Sequence, residues 1–338
     1  MEETMFQFSP EQMLEFLPVA IRNRLPVLVQ GAPGIGKTEI LEEAARRAEA
    51  DIIISHPVVS DPTDYKGQPW VINEEATFLP FSDLRHIIHA DKPTVFFLDD
   101  FGQALPSVQA AAMQLILGRK INDHKVSEHV TFFAATNRKK DKAGVSGILE
   151  PVKSRFVTII DMKVDHEDWI GWAINHQVPT PLISFIRFRP DLLFDYNPTT
   201  EIVNSPCPRT VYNVGRLIDA GISQSIELAS FAGAAGAAFA TEFVGFIRIF
   251  RGLPSIDKIL MAPNEVDVPT DPATLYALCG ALANKASEQT IKNIMIFGDK
   301  MKDEFNVLLV KDCIRHNVEV TETRAFIDWA NKHKDVLI

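Results

Sequence analysis

The stretch Gly31-Ala32-Pro33-Gly34-Ile35-Gly36-Lys37-Thr38 constrains this chain more than any other, because it satisfies the phosphate-cradling pattern G-x-x-x-x-G-K-[ST] at every fixed position. The apolar run Pro26-Val27-Leu28-Val29-Gln30 precedes it and reads as a buried strand. The segment 38–48 follows with helical spacing and early acidic residues, and reads as an amphipathic helix. Glycines at such a junction let the main chain turn tightly, so that its N–H groups converge on phosphate oxygens. The helix N-terminus adds partial positive charge. In that geometry the Lys37 ammonium reaches the terminal phosphates and the Thr38 hydroxyl becomes a ligand to Mg²⁺. The pattern therefore implies a nucleoside triphosphate site.

Composition narrows the setting. A chain of 338 residues predicts about two domains, and 46% hydrophobic with 23% charged residues describes an ordinary globular protein. A formal net charge of −10 argues against broad electrostatic capture of nucleic acid. Cys207, Cys279 and Cys313 are odd in number and far apart, which makes no metal spacing and suggests a reducing compartment. The start, Met1-Glu2-Glu3-Thr4-Met5, carries no basic segment ahead of an apolar one, so no signal peptide is expected. The Ala- and Gly-rich run between Glu227 and Glu242 falls short of the ~20 residues a membrane span needs, and reads instead as close helix packing. The expectation is a soluble cytoplasmic protein with no membrane partner.

Periodicity divides the chain in two. Ser9-Pro10-Glu11-Gln12 is a helix start, with Ser as N-cap, Pro in the first turn and Gln at the capping-box position. Strands are then predicted at 27–30, 52–55, 94–98 and 130–135, with a weaker one at 157–160, and helices at 38–49, 81–89 and 106–117. This alternation predicts a parallel sheet covered on both faces. After Asp161 strand signals nearly vanish, and helices are predicted at 167–176, 180–187, 209–220, 226–250, 272–286, 290–304 and 323–332. The domains expected are 1–162, an α/β nucleotide-binding domain, then 163–260, a helical lid, then 261–338, a helical extension of that lid.

Further polar residues fall where a phosphate site needs them. Thr94-Val95-Phe96-Phe97-Leu98-Asp99-Asp100 is an apolar strand ending in two carboxylates. In an open α/β sheet that end lies beside the phosphate loop, so Asp99 is placed to hold Mg²⁺ and Asp100 to activate water as general base. The strand beginning at Val130 ends in Thr136-Asn137, whose amide is placed to fix the attacking water, or else to open a turn. Lys153 and Arg155 put two cations just before the last strand, and Cys207-Pro208-Arg209-Thr210 puts an arginine in the first turn of a helix.

These five elements, in this order over roughly residues 10–220, resemble the AAA+ ATPases, and within them the MoxR branch. The segments that carry the finer resemblance are 97–114, Ala135-Thr136-Asn137-Arg138, Ser154-Arg155-Phe156 and Pro208-Arg209. The resemblance implies an α/β phosphate-loop core followed by an all-α lid, and ATP with Mg²⁺ as ligands. It assigns Walker A to Gly31–Thr38, Walker B to Asp99 and Asp100, sensor 1 to Asn137, an arginine finger to Arg155 and sensor 2 to Arg209. It also implies a ring, usually hexameric, with the finger entering the neighbour's site, and a remodelling or maturation role, often beside a protein bearing a von Willebrand A domain. Two features depart from the pattern. Walker B usually ends Asp-Glu, whereas here it ends Asp99-Asp100, one methylene shorter. Lys153 lies two residues from Arg155, and on a strand-like approach both would point the same way, so either could be the finger.

Other readings stay open on the residues alone: a nucleic-acid loader, a small-molecule phosphotransferase working as a monomer, or a weakly active nucleotide-gated scaffold. Tyr65-Lys66-Gly67 resembles the aromatic–x–Gly grip of a pore loop, or else is a turn with Tyr65 and Trp70 packed on the sheet. The basic run Arg138-Lys139-Lys140-Asp141-Lys142 reads as a solvated loop, and His86 with His89 as structural. Arg187 and Arg189 are expected to cap a helix C-terminus.

Overall fold

A computed structural model describes residues 7–141 and 147–333. The chain divides into two compact units, Met1–Asp165 and His166–Ile338.

The first unit is built on six strands, β1 (Gln7–Phe8), β2 (Val27–Gly31), β3 (Asp51–Ser55), β6 (Thr94–Leu98), β9 (Val130–Asn137) and β10 (Thr158–Met162). All pair in parallel, in the order β1-β10-β2-β9-β6-β3. The central strands are continuous apolar runs because helices cover both faces, and every residue of β6 and β9 is buried. Phe96 and Phe132 meet edge to face at 6.1 Å within this core. The covering helices are α1 (Pro10–Arg22), α2 (Lys37–Arg47), α3 (Ser82–His89), α4 (Pro106–Gly118) and the short α5 (Glu150–Lys153). Ser9 and Gln12 form the reciprocal capping box that starts α1. Register aligns the strand ends that matter: Gly31 stands opposite both Asn137 and Met162, and Leu98 stands opposite Ala134. The carboxyl ends of β2, β6 and β9 therefore open on the same edge.

Two hairpins in this unit go beyond the periodicity of the sequence: β4 (Gln68–Ile72) with β5 (Glu75–Leu79), and β7 (Lys120–Ile121) with β8 (His124–Lys125). The last strand runs at 158–162, later than expected. Lys153 ends a helical turn and is not on a strand, so it does not share a strand face with Arg155.

The second unit has no strand among its described residues, and its helices are α6 (His166–Asn175), α7 (Thr180–Phe188), α8 (Pro208–Asp219), α9 (Glu227–Ala235), α10 (Ala237–Arg251), α11 (Ile256–Met261), α12 (Pro272–Ala283), α13 (Ile291–Gly298), α14 (Asp303–His316) and α15 (Arg324–Lys332). The single helix expected over 226–250 is two helices broken at Gly236, whose φ is +93°. A Cβ there would sit 2.8 Å from the Asn204 carbonyl oxygen, so glycine is required by close approach as well as by backbone. Helices α7 and α12 meet at Gly280, where an added Cβ would lie 2.0 Å from Ser184 Oγ. The helix expected over 290–304 stops at Gly298, and α14 starts afresh at Asp303.

As expected, this segment closes a helix: Arg187 lies in the last turn of α7 and Arg189 is its C-cap. Arg187 also has a second set of partners. It is buried and pairs with Glu167 and Asp312, donating from Nε to Asp312 Oδ2 at 3.3 Å, while Arg315 joins Glu167 at 2.7 Å. Burial pushes the Asp312 carboxyl above its usual range, with Arg187 opposing. Burial pushes the Cys313 thiol up to about 12, which makes it an inert core residue. Arg189, the C-cap of α7, also pairs with Asp191 and Glu242.

Candidate active site

The phosphate-loop signature occupies the β2–α2 junction. Gly34 and Gly36 have φ of +74° and +93°, and Gly36 stands at the N-cap of α2, so both glycines supply left-handed turns that other residues resist. Gly31 is needed for space: an added Cβ would lie 2.6 Å from Ile35 Cδ1 and 3.1 Å from the Met162 carbonyl oxygen. Ala32 and Ile35 are buried, which fixes the loop against the core.

Lys37 is buried at the first turn of α2. Its Nζ donates to Gly31 O at 3.1 Å, to Ala32 O at 2.9 Å and to Asn137 Oδ1 at 2.7 Å. Asn137 is the last residue of β9 and does not open a turn; its Nδ2 donates onward to Asp100 Oδ1 at 3.3 Å. Thr38 Oγ1 donates to Asp99 Oδ2 at 2.9 Å, and Asp99 Oδ1 accepts from the Asp100 main-chain N–H at 3.0 Å. The Asp99 N–H donates to Ser55 O at 2.9 Å, which ties the carboxylates to the end of β3. Asp100 has φ +51° and ψ +32°. Five predicted residues, Lys37, Thr38, Asp99, Asp100 and Asn137, thus form one chain of hydrogen bonds drawn from α2, the end of β6 and the end of β9.

This donor set fits the expected ligands. A hydroxyl and a carboxylate oxygen 2.9 Å apart are the hard oxygen donors that Mg²⁺ prefers, and the Lys37 ammonium beside a glycine turn is the cation that terminal phosphates need. Among the described residues no group of three or more His, Cys, Asp or Glu side chains is placed to hold a metal ion. His86 and His89 are exposed on α3 and belong to no such group.

Arg155 takes no part in these hydrogen bonds. Arg155 lies in the turn after α5, where its Nη1 donates to Pro151 O and its Nε is buried without a hydrogen-bond partner. Lys153 pairs with Glu150 at 2.7 Å. Arg209 belongs to the second unit, exposed in the first turn of α8, which is capped by Cys207 and Thr210. Arg138 is not a solvated loop cation: it is largely buried and pairs with Asp141 at 2.9 Å. Lys142 of the same basic run lies outside the described residues.

Of the two readings of Tyr65-Lys66-Gly67, the packed one describes Tyr65. Tyr65 is 3% exposed, packs in the core beneath α4, and its hydroxyl sits 2.7 Å from Ser55 Oγ. Burial raises its pKa against the opposing hydrogen bonds from Ser55 and Ser60. Trp70, expected to pack on the sheet, is instead 59% exposed on the β4–β5 hairpin.

A parallel sheet, a glycine-turned loop at the start of a helix and two carboxylates at the end of another strand, β6, define a phosphate-loop nucleotide-binding domain. The family described as ATPase family associated with various cellular activities (AAA) matches residues 27–164, which lie in this α/β unit. AAA domains bind and hydrolyse nucleotide, typically with Mg²⁺, and commonly assemble as hexameric rings. No curated protein matches the chain. Among solved structures, the Thermotoga maritima RuvB Holliday junction branch migration motor is similar at 16% identity and a TM-score of 0.39, over 81% of this chain and 80% of that one. NtrX from Brucella abortus is similar at 11% identity and a TM-score of 0.41, over 89% of this chain and 67% of that one. No helix among the described residues is long and apolar enough to cross a membrane.

Proposed function

We propose that this chain is a MoxR-type ATPase that hydrolyses ATP in a hexameric ring and uses the cycle to remodel or mature a partner protein, working with a von Willebrand A domain protein. The observation that carries the catalytic part is the hydrogen-bonded chain Lys37–Asn137–Asp100 beside Thr38–Asp99. The 31–38 loop and Lys37 bind the phosphates, and Thr38 with Asp99 holds Mg²⁺, which when bound screens phosphate charge. Asp100 accepts the proton of the attacking water, and Asn137 orients that water through its amide. Arg155 is assigned to the neighbouring subunit's site, where a guanidinium is worth about 10³–10⁵ in rate. Lys153, engaged with Glu150, is the weaker candidate for that role. Arg209 is assigned as the lid residue that senses nucleotide. The domain division proposed is a core to residue 162, a lid over 163–260 and a helical extension over 261–338.

Mixing variants tests the shared site. Arg155→Ala and Asp100→Asn should each bind ATP without turning it over. Co-assembled, they should recover part of the activity, because some interfaces then pair an intact base with an intact finger. Mixed rings that stay inactive, or a fully active Arg155→Ala, would remove Arg155 from this role, and a Lys153→Ala control identifies the alternative cation.

A further inference from the structure

Among the described residues, the β4–β5 hairpin is the one strongly apolar element of the first unit that its core does not absorb. Trp70, Val71, Ile72 and Leu79 are 59, 66, 44 and 41% exposed, and Phe78 is 36% exposed. Side chains alternate across a ribbon, so Trp70, Ile72 and Leu79 lie on one face and Pro69, Val71 and Phe78 on the other. Both faces are apolar and both meet water. The base is nevertheless fixed. Gly67, at φ +93°, leaves no room for a Cβ, which would lie 2.5 Å from the Leu79 carbonyl oxygen. Tyr65 is anchored in the core just before it, and the Asn122 side chain donates to Lys66 O. Exposed apolar area on a firmly based ribbon marks a surface made for another molecule.

The main chain says how that molecule is held. Asn73 and Glu74 have φ of +52° and +70°, a two-residue turn of the kind that makes Ile72 and Glu75 a mutually hydrogen-bonded pair. Alternation then turns the main-chain groups of Val71 and Ala76, and of Pro69 and Phe78, outward. Pro69 has no N–H to offer, so the β4 edge lacks a donor, whereas the β5 edge is complete at Ala76 and Phe78. Among the described residues no third strand joins this ribbon. The tip carries Glu74 and Glu75, which repel phosphate-bearing surfaces and favour a cationic occupant.

We propose that the Gln68–Leu79 ribbon binds an extended, apolar, positively charged segment of the partner polypeptide by strand addition along β5. This rests on the remodelling reading above and names the chemistry that such a partner must present.

The test uses the full chain and short fluorescein-labelled peptides, one alternating valine and lysine and one alternating valine and glutamate, read by anisotropy. The lysine peptide should bind the parent more tightly than the glutamate peptide. Phe78→Pro removes one outward N–H at a position whose cross-strand neighbour is already proline, and should weaken binding by about tenfold or more. Phe78→Leu should bind nearly as the parent does. A lysine peptide N-methylated on alternate residues, in each of the two registers, supplies the same lesion from the other side if Phe78→Pro fails to fold; one register should lose binding. Equal binding by Phe78→Pro and parent, or equal binding of all peptides, overturns the proposal. So does light scattering in which Phe78→Pro lowers the assembly size while no peptide binds, since a second copy would then be the occupant. ATP hydrolysis by the same samples separates the two readings: a parent that hydrolyses ATP but fails these arms loses only the ribbon assignment, whereas a parent without turnover loses the remodelling cycle.

Discussion

Lys37 and Arg187 are both cations withdrawn from water, and they are held in different ways. Lys37 Nζ donates to two main-chain carbonyls and a side-chain amide, and Arg187 is matched against the carboxylates of Asp312 and Glu167. Hydrogen bonds to neutral dipoles can be exchanged for bonds to a phosphate; bonds between formal charges of opposite sign lock three helices together. The first arrangement suits a site that must change partners. The second suits a permanent staple.

The largest expected effect breaks the first arrangement at its chemical end. Asp100→Asn keeps shape and hydrogen bonding but removes the proton acceptor, and should cut turnover by about 10²–10⁴-fold while ATP still binds. Equal turnover in a steady-state phosphate-release assay would move the base elsewhere. Lys37→Ala should weaken ATP binding by about 10²-fold, measured calorimetrically with Mg²⁺ present, because the cradle loses its point charge but keeps its N–H groups. Breaking the second arrangement should instead be seen in stability. Asp312→Ala should destabilise the chain by about 3–5 kcal/mol in urea, since a partly stranded Arg187 remains buried. Replacing both partners, Arg187→Met with Asp312→Leu, should recover most of that loss, whereas no apolar replacement of Lys37 should restore ATP binding. If the double variant is as unstable as the single, the network is more than a staple.

The smallest effect is a pH dependence. Burial holds the His316 pKa below its ordinary 6.5, with Asp312 opposing. The folded chain therefore keeps a neutral imidazole that the unfolded chain protonates below pH 6.5. This contribution is present above pH 6.5 and is lost as pH falls through the lower folded value. His316→Gln should flatten the urea midpoint between pH 7 and pH 5, and an unchanged slope would assign that loss to other groups.

The parts of the site that are contiguous in sequence are legible from the residues alone: loop 31–38, the carboxylates closing Thr94–Leu98, and Asn137 closing a buried run. Their linkage is not. Nothing local says that Asn137 bridges Lys37 to Asp100, because the bridge depends on the register that sets Gly31 beside Asn137. Tyr65 and Trp70 show the same limit from the other side. Both sit in one polar, glycine-bearing stretch, yet Tyr65 turns inward because its hydroxyl finds Ser55, and Trp70 stays out because β4 pairs only with β5. The hairpin itself leaves little trace in the sequence because its turn is Asn73-Glu74 and lacks the glycine that signals such turns. The break at Gly236 is hidden inside a run of small residues, since the obstacle is the distant Asn204 carbonyl.

The backbone at Asp100 bears on why an aspartate stands where Walker B motifs usually carry a glutamate. Left-handed torsions are tolerated best, after glycine, by asparagine and aspartate. The shorter side chain also has fewer rotors, so its carboxylate is aimed mainly by the main chain and has less freedom to lose at the moment of reaction. Reach is exchanged for aim. Lengthening the residue, Asp100→Glu, is accordingly not a repair toward the commoner pattern: it adds a rotor and backbone strain at once, and a water placed for the shorter arm would be crowded by the longer one.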